Sequence, residues 1–201
     1  MFYLHPHRFR TKVIDALELL RRYELGQRDF TQVNLAKISL DDVNLNDLKL
    51  QRANLAEVNL SRSSLQRANL DESNLSGATL WRTDLSYGTM IEAKFCHTLL
   101  VRGNLSHCNL SRSLFKDADL RLSSFIGADL SGADLSGANL SYANLSYANL
   151  TGANLERAIL TGAKLTYTDL SNTSLQQTIL EGTDLSRAKL AKQNTVANEI
   201  M

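Results

Sequence analysis

Four histidines, two cysteines and 21 acidic residues are the side chains of this 201-residue chain suited to metal ligation, nucleophilic attack or acid–base work. Their spacing supports none of these. His5 and His7 flank Pro6, and an H-x-H pair supplies only two of the ligands that a closed metal site needs. Cys96 and Cys108 form no C-x-x-C pair. There is no H-E-x-x-H, no phosphate-binding loop signature and no G-x-G-x-x-G after a strand. Serines are abundant, but none has a His–acid pair beside it to activate the hydroxyl. The expectation is a protein that is not an enzyme and carries neither cofactor nor metal.

What positions these residues is a period of five. From Gly127 to Leu165 a leucine falls at 130, 135, 140 and onward at every fifth place, with alanine two residues before each. Asn or Asp precedes most of the leucines, and Ser, Thr or Glu follows. The register extends to Phe30 in one direction and Leu190 in the other, and each of its thirty-three central positions is Leu, Phe or Met. An α-helix advances about 100° per residue, so a five-residue period precesses around it and leaves no apolar stripe. A strand alternates faces, so an odd period puts successive leucines on opposite sides. A chain that turns once per five residues points every central residue at one axis, and stacked coils bury what a single unit cannot.

These units, A-(D/N)-L-x-x with Leu or Phe at the centre, resemble the pentapeptide-repeat family over about four-fifths of the chain. The resemblance implies an all-β solenoid: a right-handed quadrilateral β-helix with four units, or twenty residues, per coil. Thirty-three units then make about eight coils and, at strand spacing, a rod about 40 Å long. It divides the chain into an N-terminal segment with a capping helix (1–29), the β-helix (30–190) and a tail (191–201). The opening LLRRYELGQRDFTQVNL is similar to the openings of cyanobacterial members, among them a regulator of heterocyst differentiation.

Residues 11–25 carry Val13, Ile14, Leu17, Leu20 and Tyr23 at helical spacing, with Thr11 placed as N-cap and Gly26 at the position that ends a helix. One amphipathic helix is predicted, covering the open first coil; a partner-binding helix is the alternative. The larger residues Val33, Ile38, Val43, Leu48 and Val58, two before the centre, suit a core end that meets this helix. The tail AKQNTVANEIM lacks the period. It is expected to form a short cap or to fray, and a poorly covered last coil offers an edge for end-to-end pairing.

Net charge is about +1, and residues 30 onward are nearly neutral, so no nucleic-acid footprint is visible. No run of 18 apolar residues suggests a membrane span, and no apolar leader suggests secretion. Cys96, just after a centre, is expected to point outward, and Cys108, two before one, inward. They are read as free thiols in a reducing, cytoplasmic compartment.

With twenty residues per coil, positions sort onto four faces. Phe95 and Phe115 stack, and His97 and His107 fall on opposite sides. Most departures from the bland outer pattern gather on the face centred at 60, 80, 100 and 120. Arg62, Arg82 and Arg102 stand on consecutive coils, followed by Leu122. Trp81, Val101 and Arg121 adjoin the centres, and Leu99 precedes one. Trp and Arg dominate interface hot spots, and stacked like charges do not serve stability. These eight residues are the candidate partner-binding set; neutral drift of surface positions is the competing reading. Tyr87, Tyr147 and Tyr167 share a second face, with Tyr142 elsewhere.

The function expected is a protein–protein interaction module, a regulator acting through an outer face of a rigid rod. The partner is a protein, with no small-molecule substrate, nucleic acid or membrane, and the protein itself is a monomer or an end-to-end homodimer. The alternative is a DNA mimic that binds gyrase, as quinolone-resistance members of the family do. That role needs a line of carboxylates. Here Asp47, Glu57, Asp71, Glu72, Glu92, Asp117 and Glu156 are scattered across faces.

Overall fold

The computed structural model describes residues 12–190. His5, His7, Thr11 and the 191–201 tail lie outside the described residues.

One backbone cycle repeats in most of the five-residue units. The carbonyl of the central residue accepts from the N–H three residues on, as in Val33 N–H to Phe30 O at 3.3 Å and Ala133 N–H to Leu130 O at 3.0 Å. This closes a tight turn whose second inner residue is left-handed, with φ of +59° at Gln32, +56° at Arg82 and +65° at Gly132. Positive φ at that place marks a type II turn. Glycine is the residue for it, yet Arg102, Leu122 and Tyr142 also adopt it, at roughly 1–2 kcal/mol each. Their N–H groups are held by the next coil, Arg102 by Arg121 O and Leu122 by Ser141 O, both at 3.0 Å. The ladder therefore imposes the conformation.

Between turns the chain pairs in parallel with itself twenty residues on, from Asp29–Lys49 through to Lys164–Asp184. The series ends where β1 (Asp169–Leu170) pairs with β2 (Lys189–Leu190). Leu35 N–H donates to Asn54 O at 2.8 Å, and Asn54 N–H donates back to Val33 O at 2.9 Å. A coil of four units is thus the repeating layer of this β solenoid.

Side-chain chemistry explains the unit's sequence. The residue before the centre, when Asn or Asp, accepts from the N–H two residues on: Asn34 Oδ1 from Ala36 at 3.1 Å, Asp129 Oδ1 from Ser131 at 3.0 Å. That contact secures the turn. The residue two before the centre points inward, and where it is Ser or Thr its hydroxyl donates to a central carbonyl. Ser63 reaches Leu40 O at 2.6 Å and Thr83 reaches Leu60 O at 2.7 Å, so these buried polar groups are satisfied. Leu130, Leu135 and Leu140 are wholly excluded from solvent. Phe95 and Phe115 stack at 4.7 Å, with Phe125 edge-on to Phe115 at 6.2 Å.

Two expectations change at the ends. The helix α1 runs over Ala16–Glu24, not 11–25, and its N-cap is Asp15, whose Oδ1 accepts from Glu18 N–H at 2.8 Å. Val13 is not helical: it bridges to Asn34, and the chain there supplies a strand to the first coil. Leu19 takes the buried place, while Val13 and Leu17 are exposed. Gly26 does end the helix, with φ +91°, Gly26 N–H on Tyr23 O and Gln27 N–H on Arg22 O, both at 3.0 Å. Leu19 and Ile14 join the same core as Phe30 and Val33, and Tyr23 Oη donates to Asn46 O at 3.3 Å. At the other end the dry axis stops short. Leu175, Leu180 and Leu185 are only partly buried and Leu190 is exposed, because no coil beyond Leu190 stacks on them among the described residues.

Candidate functional site

The face carrying Trp81 is built by the turns that follow centres 40, 60, 80, 100, 120, 140 and 160. The left-handed turn residue projects outward on each coil, and the twenty-residue register aligns these residues in a file: Asp42, Arg62, Arg82, Arg102, Leu122, Tyr142, Gly162. A second file beside it holds Trp81, Val101, Arg121 and Ser141, and a third holds Leu99, Asp119 and Asn139, bridged in order.

The arginines of this face are not equivalent. Arg62 is neutralised by Asp42, to which it donates through both Nε and a terminal nitrogen, with Asp41 at 3.7 Å. The Asp42 carboxyl is accordingly held below its ordinary range by the Arg62 guanidinium. Arg121 grips Asp119 at 2.8 and 2.6 Å, and that contact lowers the Asp119 carboxyl and raises Arg121. Arg82 lies 4.6 Å from the Trp81 ring centre, with Arg62 at 6.0 Å. Arg82 and Arg102 make no ion pair among the described residues. Of the three arginines stacked on consecutive coils, Arg62 is thus neutralised, and Arg82 and Arg102 are open cations between neutral pairs.

Next to Arg102 the surface dips into a hollow of about 600 Å³ lined by Val101, Arg102, Arg121, Leu122, Asn139, Ser141 and Tyr142. Leu122 and Leu99 are about half exposed, and Tyr142 more so. Tyr142 lies over Gly162, where a Cβ would meet its ring at 2.6 Å. All eight expected residues therefore share one face. Arg62 belongs to an ion-paired end of it, and Trp81 is half-buried under guanidinium groups. Asn139, Ser141 and Tyr142 were missing from the expected set. Tyr142 stands twenty residues beyond Leu122, a spacing that places it in the same file.

The second face holds aromatic stacks. Tyr87 stacks on His107 at 5.1 Å and Tyr147 on Tyr167 at 5.2 Å, with Arg187 near Tyr167 at 5.8 Å. The partnership of His107 was legible only as a twenty-residue spacing from Tyr87. The scattered carboxylates are largely paired one coil away: Asp47 with Arg67, Glu72 with Arg52, Glu92 with Arg112 and Glu57 with Lys37. Among the described residues no group of three or more His, Cys, Asp or Glu side chains could hold a metal ion. No described helix is long and apolar enough to cross a membrane.

Comparison with known proteins bears on this architecture. The family description "Pentapeptide repeats" matches in eight copies, over residues 29–62, 63–100, 104–141, 138–177 and 168–192. No curated protein matches by sequence. Among solved structures, HetL, a pentapeptide repeat protein involved in heterocyst differentiation regulation from the cyanobacterium Nostoc sp. strain PCC 7120, is 28% identical. That match covers 89% of this chain and 98% of HetL, with a TM-score of 0.43. QnrB1, a plasmid-mediated fluoroquinolone resistance protein, is 15% identical over 90% of each chain with a TM-score of 0.62. A pentapeptide repeat protein of the Arabidopsis thaliana thylakoid lumen is 31% identical, over 63% of this chain and 71% of its own, with a TM-score of 0.38. The matched repeats span nearly all the coils just described, and the chain belongs to the pentapeptide repeat family.

Proposed function

We propose that this protein is a non-enzymatic binding module whose rigid coil presents the Trp81, Arg82, Val101 and Arg102 face to a partner protein. One observation carries the reading. Arg52, Arg62, Arg67 and Arg112 each meet a carboxylate one coil away, whereas Arg82 and Arg102 are left open beside exposed Leu99 and Leu122. Unpaired guanidinium groups next to apolar surface contribute little to folding and suit recognition.

The rod in this reading is a right-handed, square-sectioned column of about eight coils, capped by α1, acting in the cytoplasm as a regulator. The similarity of its opening segment to heterocyst-regulating members motivates the regulatory role. Gyrase mimicry is disfavoured because the carboxylates it would display are bound to Arg67, Arg52 and Arg112; likeness to QnrB1 at 15% identity speaks to fold alone.

The test is affinity capture from an extract of the source cells, with wild-type protein and a Trp81→Ala/Arg82→Ala variant of unchanged circular dichroism. The wild type is expected to retain one stoichiometric protein that the variant loses. Equal retention by both overturns the reading, as does inhibition of gyrase supercoiling at micromolar protein.

A further inference from the structure

The hollow and the two open cations are contiguous, and together they define what kind of segment fits them. Arg82 and Arg102 are successive members of the outward file, about 5 Å apart at strand spacing. Leu122 and Tyr142 continue the same file, so the hollow begins beside Arg102 and runs over the next two coils. Its wall is Tyr142, its apolar lining Val101 and Leu122, and its polar lining Asn139 and Ser141. Arg121 also borders it, but that guanidinium is already committed to Asp119. The charge on offer is therefore positive at one end of a short axial track, and the space at the other end is apolar and aromatic.

We infer that this track binds an extended acidic peptide segment of a partner protein, with carboxylates on Arg82 and Arg102 and an apolar or aromatic side chain in the Val101–Leu122–Tyr142 hollow. This rests on the protein-binding reading of the same face and names the chemistry of its partner. Geometry supports an extended segment running along the rod. Same-side residues in an extended chain recur about every 6.6–7 Å, so an apolar residue two places beyond a pair of same-side acids lies about 10 Å from their midpoint, between Leu122 and Tyr142 at about 7 and 12 Å from the midpoint of the arginine pair. Guanidinium groups bind carboxylates through paired N–H donors. A polyphosphate strand fits worse. Asp41 and Asp42 close one end of the file and Leu122 the other, so no continuous basic track exists to neutralise successive phosphates.

The probes are two fluorescein-labelled nine-residue peptides carrying two glutamates and one phenylalanine at alternate positions in a Ser/Gly background, one with the acids first and one with the phenylalanine first. Lysine replaces glutamate in the control. Anisotropy titration at low salt is expected to show saturable binding of one glutamate peptide and none of the control. Arg82→Glu/Arg102→Glu is expected to weaken binding by about tenfold or more, and to confer binding of the lysine peptide. Tyr142→Ala, which leaves both arginines, weakens only the phenylalanine-bearing peptide and not an alanine analogue. Circular dichroism and melting temperature verify that each variant is folded. Binding that ignores the charge reversal, equal binding of the lysine peptide, or tighter binding of a single-stranded oligonucleotide overturns the inference. If partner capture still depends on Trp81 and Arg82 while both glutamate peptides fail, the acidic-segment assignment falls and the interaction face stands.

Discussion

At the scale of single residues, the position within the five-residue unit decides chemistry more than residue type does. Cys108 sits two before a centre and is buried, with its thiol donating to Leu85 O at 3.1 Å. Burial pushes that thiol up to about 12, so it stays protonated and inert at neutral pH. Cys96 follows a centre and is partly exposed, and both cysteines are free thiols. The two are therefore expected to separate cleanly. A maleimide at pH 8 should label Cys96 alone in the native protein and both in guanidinium chloride, as read by peptide mass. Labelling of Cys108 in the native state would contradict the inward assignment. The same positional rule explains the face: Arg82 and Arg102 are solvent-directed because they occupy the left-handed turn position, whatever their side chains.

At the scale of elements, α1 is joined to the solenoid by both of its flanks. The 12–14 stretch pairs with Asn34, through Asn34 N–H on Lys12 O at 2.9 Å, and Arg28 O accepts from Lys49 N–H at 2.8 Å. The helix bridges these two partial strands and lays Leu19 over the end of the core. A bare first coil would expose apolar side chains and unpaired backbone. Leu19→Ala is expected to cost about 2–5 kcal/mol and to be read as a lower midpoint in urea, with Arg21→Ala on the exposed side of the helix as a near-neutral control. A change below about 0.5 kcal/mol would mean that α1 only rests on the coil.

At the scale of the whole molecule, each coil touches only its neighbours, so stability is graded along the axis. Interior leucines such as Leu140 and Leu150 are dry, while Leu175, Leu180 and Leu185 are half-open and Leu190 is exposed. Hydrogen exchange is expected to be slowest for mid-rod amides such as Leu110, whose N–H donates to Asp129 O at 2.7 Å, and fastest at Lys189, whose N–H donates to Thr168 O at 2.9 Å. Acid should sharpen the gradient. Asp169 is lowered from 3.8 to about 2, first by the hydrogen bond from Lys189 Nζ at 2.7 Å and then by Ser171. A carboxyl depressed in the folded state stabilises above its unfolded value, and that contribution disappears as pH falls through the folded one. Protection of Lys189 should therefore drop between about pH 4 and pH 2 ahead of the interior. Asp169→Asn should remove that pH step; its persistence would exclude the pair as the cause.

The period alone determined the buried axis and the inward place of Cys108, because a repeat without insertions carries its register along the chain; the stacking of Phe95 on Phe115 also needed the twenty-residue coil that the family resemblance implies. The helix start was misplaced because Val13 and Ile14 read as helical by spacing, while pairing with Asn34 drew them into strand. Which arginines are open could not be read from types. Arg62 and Arg82 occupy equivalent positions, and only the carboxylate one coil below, present for one and absent for the other, separates them. The hollow likewise exists only once Arg102, Leu122 and Tyr142, twenty residues apart in turn, are brought side by side by the parallel pairing of coils.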